Sequence, residues 1–314
     1  MKAVCFDNFG DESVLQIRDL PKPEPGKGEV LIRVHAAGVN PVDWKIREGL
    51  LKTRMPHQFP IIPGWDVAGT IEKLGPGCRR FKKGAAVYAY ARKPVIKDGC
   101  YAEYVVLPEK NVALKPRSMD FKQAASIPLA ALTAWQSLFD AAELQKGDTI
   151  LIHAAAGGVG GFAVQLAKWK GARVIATASA NNHEYVRSLG ADEVIDYTQT
   201  DFVEAVRTLA PKGVDVAYDT VGESVQVRSI QTVRKGGTLV TILAPTPEAQ
   251  SARGLRLKYV FVAPNARQLA RLASLIEAGK FKTHLTAELP LEQAAEAQRM
   301  SRTGHTRGKI VLVI

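Results

Sequence analysis

With 314 residues, of which 46% are hydrophobic and 23% charged, the chain is long enough to bury a large core and is expected to form two domains. It has no run of 18 apolar residues, and its first residues lack a signal-peptide pattern. Its three cysteines are too far apart in the sequence to suggest a disulfide framework. We therefore expect a soluble, cytoplasmic protein. Its net charge of +11 comes from dispersed lysines and arginines, which favours attraction of an anionic cofactor over a dedicated nucleic-acid role.

Residues 1 to about 120 are expected to form short β-strands separated by turns. Apolar alternation and β-branched runs predict strands within 1–6, 29–35, 60–72, 87–91 and 101–107. Within this region, residues 38–49 predict a turn that leads into a short helix.

From residue 120 the hydrophobic period becomes helical through residue 142, and strands then alternate with helices. The predicted strands include residues 149–153, 173–177, 194–195, 214–218 and 238–242. This alternation predicts a parallel, doubly wound sheet.

The C-terminal part is predicted to contain two more helices, from about residue 265 to 279 and after Leu291, and a last strand at 309–314. We expect these elements to return to the first domain. The expected bounds are therefore 1–122 with 263–314 for the β-rich domain and 123–262 for a domain inserted into it.

The stretch from residue 148 to 171 changes period abruptly, from an apolar strand pattern through small residues to a helical pattern. The spacing Ala155-x-Gly157-x-x-Gly160 is a variant of the dinucleotide fingerprint, with a second strand following at 173–177. N–H groups at a helix start favour an anion, and missing side chains let a pyrophosphate approach closely. A packing turn is the alternative use of such residues. The expected pyrophosphate contacts are Ala156, Gly157, Gly158, Val159 and Gly160.

The end of that second strand indicates which dinucleotide is bound. An acid about 20 residues after the glycines would accept hydrogen bonds from the adenosine ribose and repel a 2′-phosphate. Here the strand ends in Ala-Ser-Ala-Asn-Asn-His, and the first carboxylate is Glu184. A hydroxyl and amides can donate to a phosphate, which favours NADPH over NADH. The alternative is a polar loop that is indifferent to the phosphate.

A set of motifs along the chain resembles one family. In order they are GVN-P-VD, PGWDVAG, GCYAEYV, ALTAW, AAAGGVG and TRGKIVLVI. They resemble the zinc-independent medium-chain dehydrogenase/reductases, within the quinone oxidoreductase and enone (alkenal/one) reductase branch, over nearly the whole chain. The resemblance implies an α/β fold, with a GroES-like catalytic domain, an inserted Rossmann domain and NADPH in the cleft between them. It also implies homodimers joined edge to edge through the Rossmann sheets, with 238–243 as the edge strand.

Zinc-dependent relatives carry a catalytic Cys and a His at positions that match Asn40 and Trp65. Trp is no metal ligand and Asn a poor one, whereas a catalytic zinc needs three good protein ligands, so we expect no metal. Alcohol oxidation usually needs a metal to stabilise the alkoxide. Reduction of a quinone or of a conjugated C=C bond is less demanding, because charge builds on an oxygen that one or two donors can hold. Both substrate classes stay open.

The same resemblance assigns individual residues. The residues assigned to the reaction are Asn40, Asp43, Lys45 and Thr133. The further cofactor contacts are Ser179 and Tyr197, at the adenosine 2′-phosphate, and Val221, Leu243, Ala244, Asn265 and Lys309. Alternatives are open for three of them. In the alternative interpretation, Lys45 is a solvated surface charge and Lys309 is an exposed charge at the start of a strand. Thr133 would then be a helix-interior residue whose hydroxyl bonds to its own backbone.

No dedicated proton donor is evident, and residues 47–59 contain no tyrosine. We therefore expect solvent to protonate the enolate after hydride transfer. A large rate loss from substitution of Tyr90 or Tyr104 alone, with unchanged NADPH affinity, would contradict this. Since fold does not determine function, a nucleotide-binding or crystallin-like protein without turnover is the alternative from another class.

Overall fold

A computed structural model describes residues 1–314 as two compact units. The first unit combines Met1–Leu132 with Ala263–Ile314, and the second is Thr133–Val262. All three cysteines are free thiols. None of the helices has the length and apolar content needed to cross a membrane.

The N-terminal part of the first unit consists mainly of short strands. These are β1 (Lys2–Cys5), β2 (Gln16–Asp19), β3 (Glu29–Val39), β4 (His57–Ile62), β5 (Asp66–Leu74), β6 (Ala86–Tyr90), β7 (Ile96–Asp98), β8 (Tyr104–Pro108) and β9 (Val112–Leu114). Its helices are α1 (Pro41–Arg47), α2 (Phe121–Ala125) and α3 (Pro128–Trp135), the last of which runs into the second unit.

The second unit alternates strands and helices. Its strands are β10 (Thr149–Ile152), β11 (Arg173–Ala178), β12 (Glu193–Asp196), β13 (Val214–Asp219), β14 (Val233–Thr241) and β15 (Arg256–Tyr259). Its helices are α4 (Gly158–Lys170), α5 (His183–Ser188), α6 (Phe202–Leu209), α7 (Glu223–Ser229) and α8 (Pro247–Ser251). The segment that returns to the first unit adds α9 (Ala266–Glu277), β16 (Leu285–Pro290), α10 (Ala294–Arg302) and β17 (Lys309–Val313).

The main sheet of the first unit is built around β3. Its strand order is β16-β17-β3-β5-β6-β9, and β8 pairs with the first half of β3. Val39 lies opposite Ile310 of β17, and Gly38 lies opposite Asp66 of β5. This register brings the end of β3 beside the starts of two other strands, β5 and β17, although these are distant in sequence.

The second unit contains a six-stranded parallel sheet in the order β12-β11-β10-β13-β14-β15. The order reverses direction at β10, so the carboxyl ends of β10 and its neighbours form the edge where open α/β sheets bind ligands. The inner strands β10 and β13 are almost wholly buried, as a sheet covered on both faces requires. The predicted parallel, doubly wound sheet is confirmed.

The expected dimer strand, 238–243, is not an edge of this sheet. It lies within and just after β14, which pairs with β13 on one side and β15 on the other. The sheet edges are β12 and β15 instead. β15 escaped prediction because it is only four residues long and its sequence, Arg-Leu-Lys-Tyr, carries two charges on its exposed positions.

The helical region predicted from residue 120 to 142 is interrupted. Asp120 caps α2 through a bond from the Gln123 N–H (2.8 Å), and Pro128 starts α3, which then passes into a π-helix at Gln136–Ala141. Proline has no N–H to donate and therefore begins a new helix here. The expected boundary at 122/123 would assign most of α2 to the inserted domain, whereas α2 packs on β3 and β5 of the first unit.

Candidate active site

The glycine-rich turn of the second unit presents bare backbone donors. β10 ends at Ile152, the chain turns through small residues with Ala154 at φ 46°, and α4 begins at Gly158. No side chain caps α4, its first turn contains no acid, and no protein group accepts a bond from the N–H groups of Gly158, Val159 or Gly160. These donors and the helix dipole form a site for an anion such as a pyrophosphate.

The turn needs glycine at position 160 for packing. A Cβ on Gly160 would lie 2.3 Å from the Ala154 carbonyl oxygen and 2.8 Å from the Ala155 Cα. At Gly157 the surroundings are different. A Cβ there would meet only the Ala154 oxygen, at 3.3 Å, so this side of the turn is open. The fingerprint therefore combines one glycine for close packing with another where a ligand has room to approach.

The buried His153, which follows β10, connects β11 and α7 beside this turn. Its Nδ1 lies 3.2 Å from the Thr177 hydroxyl and its Nε2 lies 2.9 Å from the Ser229 hydroxyl. Burial lowers the pKa of His153 to about 4, so the ring is neutral at neutral pH. Both ring nitrogens are used within the protein, as a structural histidine requires.

The residues expected at the adenosine 2′-phosphate follow neighbouring strands. Ala178 of β11 lies opposite Asp196 of β12, so Ser179 and Tyr197 both follow carboxyl ends of the sheet. The Ser179 hydroxyl accepts a bond from Asn182 Nδ2 (3.0 Å), and Tyr197 is 51% exposed. The search for an acid near the adenosine ribose considered only the residues that follow β11, and it therefore missed Asp196, the last residue of the adjacent strand β12. Its Oδ1 is engaged by the N–H (3.0 Å) and hydroxyl (2.7 Å) of Thr198.

Three more expected cofactor contacts follow the carboxyl ends of β13 and β14. Val221 and Ala244 are exposed, and Leu243 is partly buried. They lie at the same edge of the sheet as the glycine turn, because all these strands are parallel. The second unit thus brings most of the expected cofactor residues to one edge.

The first unit contains a buried polar cluster, which we define as Asn40, Asp43, Asp66, Tyr101 and Lys309. All five side chains are at most 5% exposed. The strand register explains their meeting, because Asn40 follows β3, Asp66 starts β5 and Lys309 starts β17. Sequence reasoning found three members and missed Asp66 and Tyr101 as members, since nothing local in the sequence indicates that they are neighbours.

The side-chain amide of Asn40 is fully used inside this cluster. Its Nδ2 donates to Asp66 Oδ2 (2.9 Å), and its Oδ1 accepts a bond from the Lys309 amine. Asn40 precedes the first residue of α1, and its backbone N–H donates to Asp43 Oδ2 (2.8 Å). The geometry makes Asn40 a connector between the two acids and the lysine.

The two acids differ in how well they are satisfied. Asp43 Oδ2 accepts from the Asn40 N–H and the Tyr101 hydroxyl (2.9 Å), whereas its buried Oδ1 has no hydrogen-bond partner. Burial raises the pKa of Asp43 to about 7. Asp66 accepts from Asn40 and, on Oδ1, from the Leu129 N–H (2.7 Å), and burial raises its pKa to about 6. Asp43 is therefore a group that can hold a proton near neutral pH.

Lys309 is buried, so the alternative of an exposed charge at a strand start is wrong. Its Nζ donates to the Val39 carbonyl oxygen (2.9 Å) and to Asn40. Burial lowers its pKa, while the charges of Asp66 and Asp43 act in the opposite direction. Lys309 is thus the countercharge of the cluster.

The remaining expected site residues lie in different surroundings. Lys45 on α1 is half-buried, with its Nζ 5.4 Å from the centre of the Trp44 ring, and burial lowers its pKa. Thr133 is buried within α3 and belongs to the second unit. Asn265 caps α9, where its Oδ1 accepts from the N–H groups of Arg267 and Gln268 at 3.1 Å each.

The structure does not provide ligands for zinc. No group of three or more His, Cys, Asp or Glu side chains is arranged to hold a metal ion. At the two positions expected to correspond to zinc ligands, the Asn40 amide is occupied by protein partners, and the buried Trp65 packs edge-on against Tyr90, 6.1 Å between ring centres. The residues present therefore do not fit a zinc ion.

Comparisons with known proteins agree with this architecture. Residues 26–117 match the alcohol dehydrogenase GroES-like domain, and residues 189–312 match the zinc-binding dehydrogenase domain. The chain is 35% identical to the chloroplast envelope quinone oxidoreductase homolog of Arabidopsis thaliana, covering 99% of this chain and 98% of the relative. It is 37% identical to the NADPH-dependent alkenal/one oxidoreductase of the same plant, covering 99% and 79%.

A solved structure extends the likeness to three dimensions. The quinone oxidoreductase from Coxiella burnetii has a TM-score of 0.91 and 37% identity, covering 100% of this chain and 99% of that one. The predicted fold class, a GroES-like domain combined with a Rossmann-type parallel sheet, is confirmed. The chain therefore belongs to the medium-chain dehydrogenase/reductase family, in its quinone oxidoreductase and alkenal/one reductase branch.

Proposed function

We propose that this protein is an NADPH-dependent oxidoreductase that reduces quinones or the C=C bond of α,β-unsaturated carbonyls without zinc. The observation that carries the proposal is the uncapped N-terminus of α4, where three N–H donors without protein partners follow a parallel strand. Relatives that match nearly the whole chain are named for NADPH, alkenals and quinones. The residues of the second unit fit such a dinucleotide.

The second unit binds and orients the cofactor in this proposal. The N–H groups of Gly158, Val159 and Gly160 hold the pyrophosphate, and Ser179 and Tyr197 bind the adenosine 2′-phosphate. Bound NADPH supplies the hydride for the electrophilic carbon of the substrate. Lack of a side chain at Gly157 leaves room for the phosphates.

The first unit supplies polar groups for the reaction in this proposal. Lys45 or a neighbouring N–H stabilises negative charge on the substrate oxygen. Asn40 and Asp43 hold the start of α1 in place through the bond from the Asn40 N–H to Asp43 Oδ2, and the second oxygen of Asp43, Oδ1, has no protein partner. Thr133 is the proposed contact for the nicotinamide. Solvent returns the proton to the substrate in this proposal. Quinones and enones suit a site without zinc, since the conjugated oxygen of the substrate takes up the charge.

We also propose a cytoplasmic homodimer. Three free thiols suit a reducing compartment. Because β14 is internal, an edge-to-edge dimer of the second unit would use β12 or β15. Light scattering after size-exclusion chromatography measures the oligomeric state directly.

A turnover screen tests the proposed function. The purified protein is mixed with NADPH or NADH and with matched sets of quinones and enones, and oxidation of the cofactor and formation of the reduced product are both followed. We expect turnover of at least one substrate class, with a higher kcat/KM for NADPH. Cofactor binding without oxidation across both sets would instead indicate the nucleotide-binding protein without turnover. Absence of binding to either cofactor would overturn the proposal.

A further inference from the structure

We infer that Asp219 is a positioning residue, which holds the two loops after β13 and β14 in the conformation that binds NADPH; this inference rests on the proposed function. Asp219 is the last residue of β13 and is fully buried. Four hydrogen-bond donors converge on its carboxylate. Oδ1 accepts from the N–H groups of Val221 (2.9 Å) and Gly222 (2.8 Å). Oδ2 accepts from Gln226 Nε2 (2.9 Å) and the Thr241 hydroxyl (2.8 Å).

The same network continues into the loop after β14. Thr241, the last residue of β14, accepts on Oγ1 from the Leu243 N–H (3.1 Å) and from Gln226 Nε2 (2.9 Å). Gln226, on α7, accepts on Oε1 from the Thr246 N–H (2.7 Å). Asp219, Gln226 and Thr241 are each 0% exposed. One carboxylate therefore connects both loops through direct bonds and through two buried side chains.

A third strand end is linked to this network by the neighbouring residue. The Thr220 hydroxyl donates to the His153 carbonyl oxygen (2.8 Å), and His153 directly precedes the small residues of the glycine-rich turn. The loops that follow β10, β13 and β14 are thus joined at one edge of the sheet. The exposed side chains that they present there include Val221 and Ala244.

The pattern of donors requires a carboxylate. An amide at position 219 offers one accepting oxygen, and its NH₂ group would face two of the four donors. A substitution at this position would leave a buried donor without an acceptor, and this would destabilise the conformation of the loops that the bonds hold. Because the carboxylate points to backbone N–H groups and buried side chains of its own unit, it acts on the cofactor only through the loops. Asp219 is for this reason a positioning residue and not a catalytic one.

The test compares two threonines of the same strand. Thr241→Val removes the hydroxyl that bonds Asp219, and Thr241→Ser keeps it. Thr238→Val is the matched control, since Thr238 is also 0% exposed but its hydroxyl accepts from Arg256 Nε (3.1 Å), which does not belong to the network. For each protein the Kd of NADPH is measured by fluorescence titration, together with Tm and the KM values for NADPH and for a quinone.

We expect Thr241→Val to raise the Kd and the KM for NADPH about tenfold, which is the effect of losing one buried hydrogen bond. The KM for the quinone should stay within about twofold. Thr241→Ser should recover most of the affinity, and Thr238→Val should lower Tm without changing the Kd. Asp219→Asn should act in the same direction as Thr241→Val; if it does not fold, the threonine series decides. Unchanged NADPH affinity in folded Thr241→Val, or an equal loss in Thr238→Val, would overturn the inference. A wild-type protein that binds no NADPH would instead overturn the proposed function.

Discussion

Lys309 donates a hydrogen bond from its Nζ to the side-chain oxygen of Asn40, 269 positions earlier in the chain. The bond joins the first residue of the last strand, β17, to the residue that follows β3. It lies inside a cluster that also holds two buried acids, so it connects the stability of the first unit to the charge state of Asp43 and Asp66.

Replacing this lysine should be costly. Lys309→Met leaves the carboxylates of Asp66 and Asp43 buried without their countercharge, and we expect a loss of about 3 kcal/mol in the free energy of unfolding at pH 7.5. The loss should be smaller at pH 5.5, because Asp66, whose pKa is raised to about 6, is then largely protonated. Urea unfolding at both pH values measures the difference. Lys280→Met removes an exposed lysine and serves as control; equal stability of the two variants would contradict the role of Lys309.

The charge of Asp43 should make stability depend on pH. Its pKa is raised from the ordinary 3.8 to about 7, so the folded protein binds more protons than the unfolded chain between about pH 4 and pH 7. Its contribution to stability is complete below about pH 4 and is lost as the pH rises through about 7. Asp43→Asn keeps an oxygen for the Asn40 N–H and the Tyr101 hydroxyl but carries no charge.

We therefore expect the Tm of Asp43→Asn, relative to that of the wild type, to increase from pH 5 to about pH 7 and then to level off toward pH 8. Thermal unfolding followed by circular dichroism at intervals across this range measures the trend. Asp98→Asn, which removes an exposed carboxylate, should show no such increase. A difference between Asp43→Asn and wild type that is independent of pH would show that the buried carboxyl does not titrate in this window.

Two glycines of the same turn should respond differently to alanine. At Gly160 the new methyl group would collide with backbone atoms at 2.3 and 2.8 Å, so Gly160→Ala should destabilise the protein by about 2 kcal/mol or more. At Gly157, where φ is −75° and the single contact is 3.3 Å, Gly157→Ala should leave Tm nearly unchanged. The methyl group would instead obstruct the pyrophosphate and raise the Kd of NADPH about tenfold. Wild-type affinity in Gly157→Ala would place the cofactor elsewhere.

Activity should not depend on zinc. Because the structure lacks three suitably placed ligands, we expect elemental analysis to find far less than one zinc per chain and treatment with a chelator to leave turnover of NADPH with a quinone unchanged. A zinc-dependent alcohol dehydrogenase treated in parallel should lose activity. Stoichiometric zinc in the purified protein, or loss of turnover on chelation, would refute zinc independence.

Much of the fold follows from local sequence patterns. The change of period around residue 157 predicted β10, the glycine turn and α4, and Gly171, at φ 89°, ends the helix where a residue without a Cβ is needed. Local patterns were less informative for β15, whose charged sequence hides a strand, and for the interruption of the helix at Pro128.

Local sequence patterns were enough to predict the kinds of elements and the position of the anion-binding turn, because hydrophobic period and the absence of side chains are properties of consecutive residues. The three-dimensional arrangement was needed to learn that β14 is internal, that Lys309 is buried, and that Asp66 and Tyr101 join Asn40 and Asp43. Those facts depend on the pairing and register of strands that are far apart in the chain, and on the low polarity that their packing creates around a few charged groups.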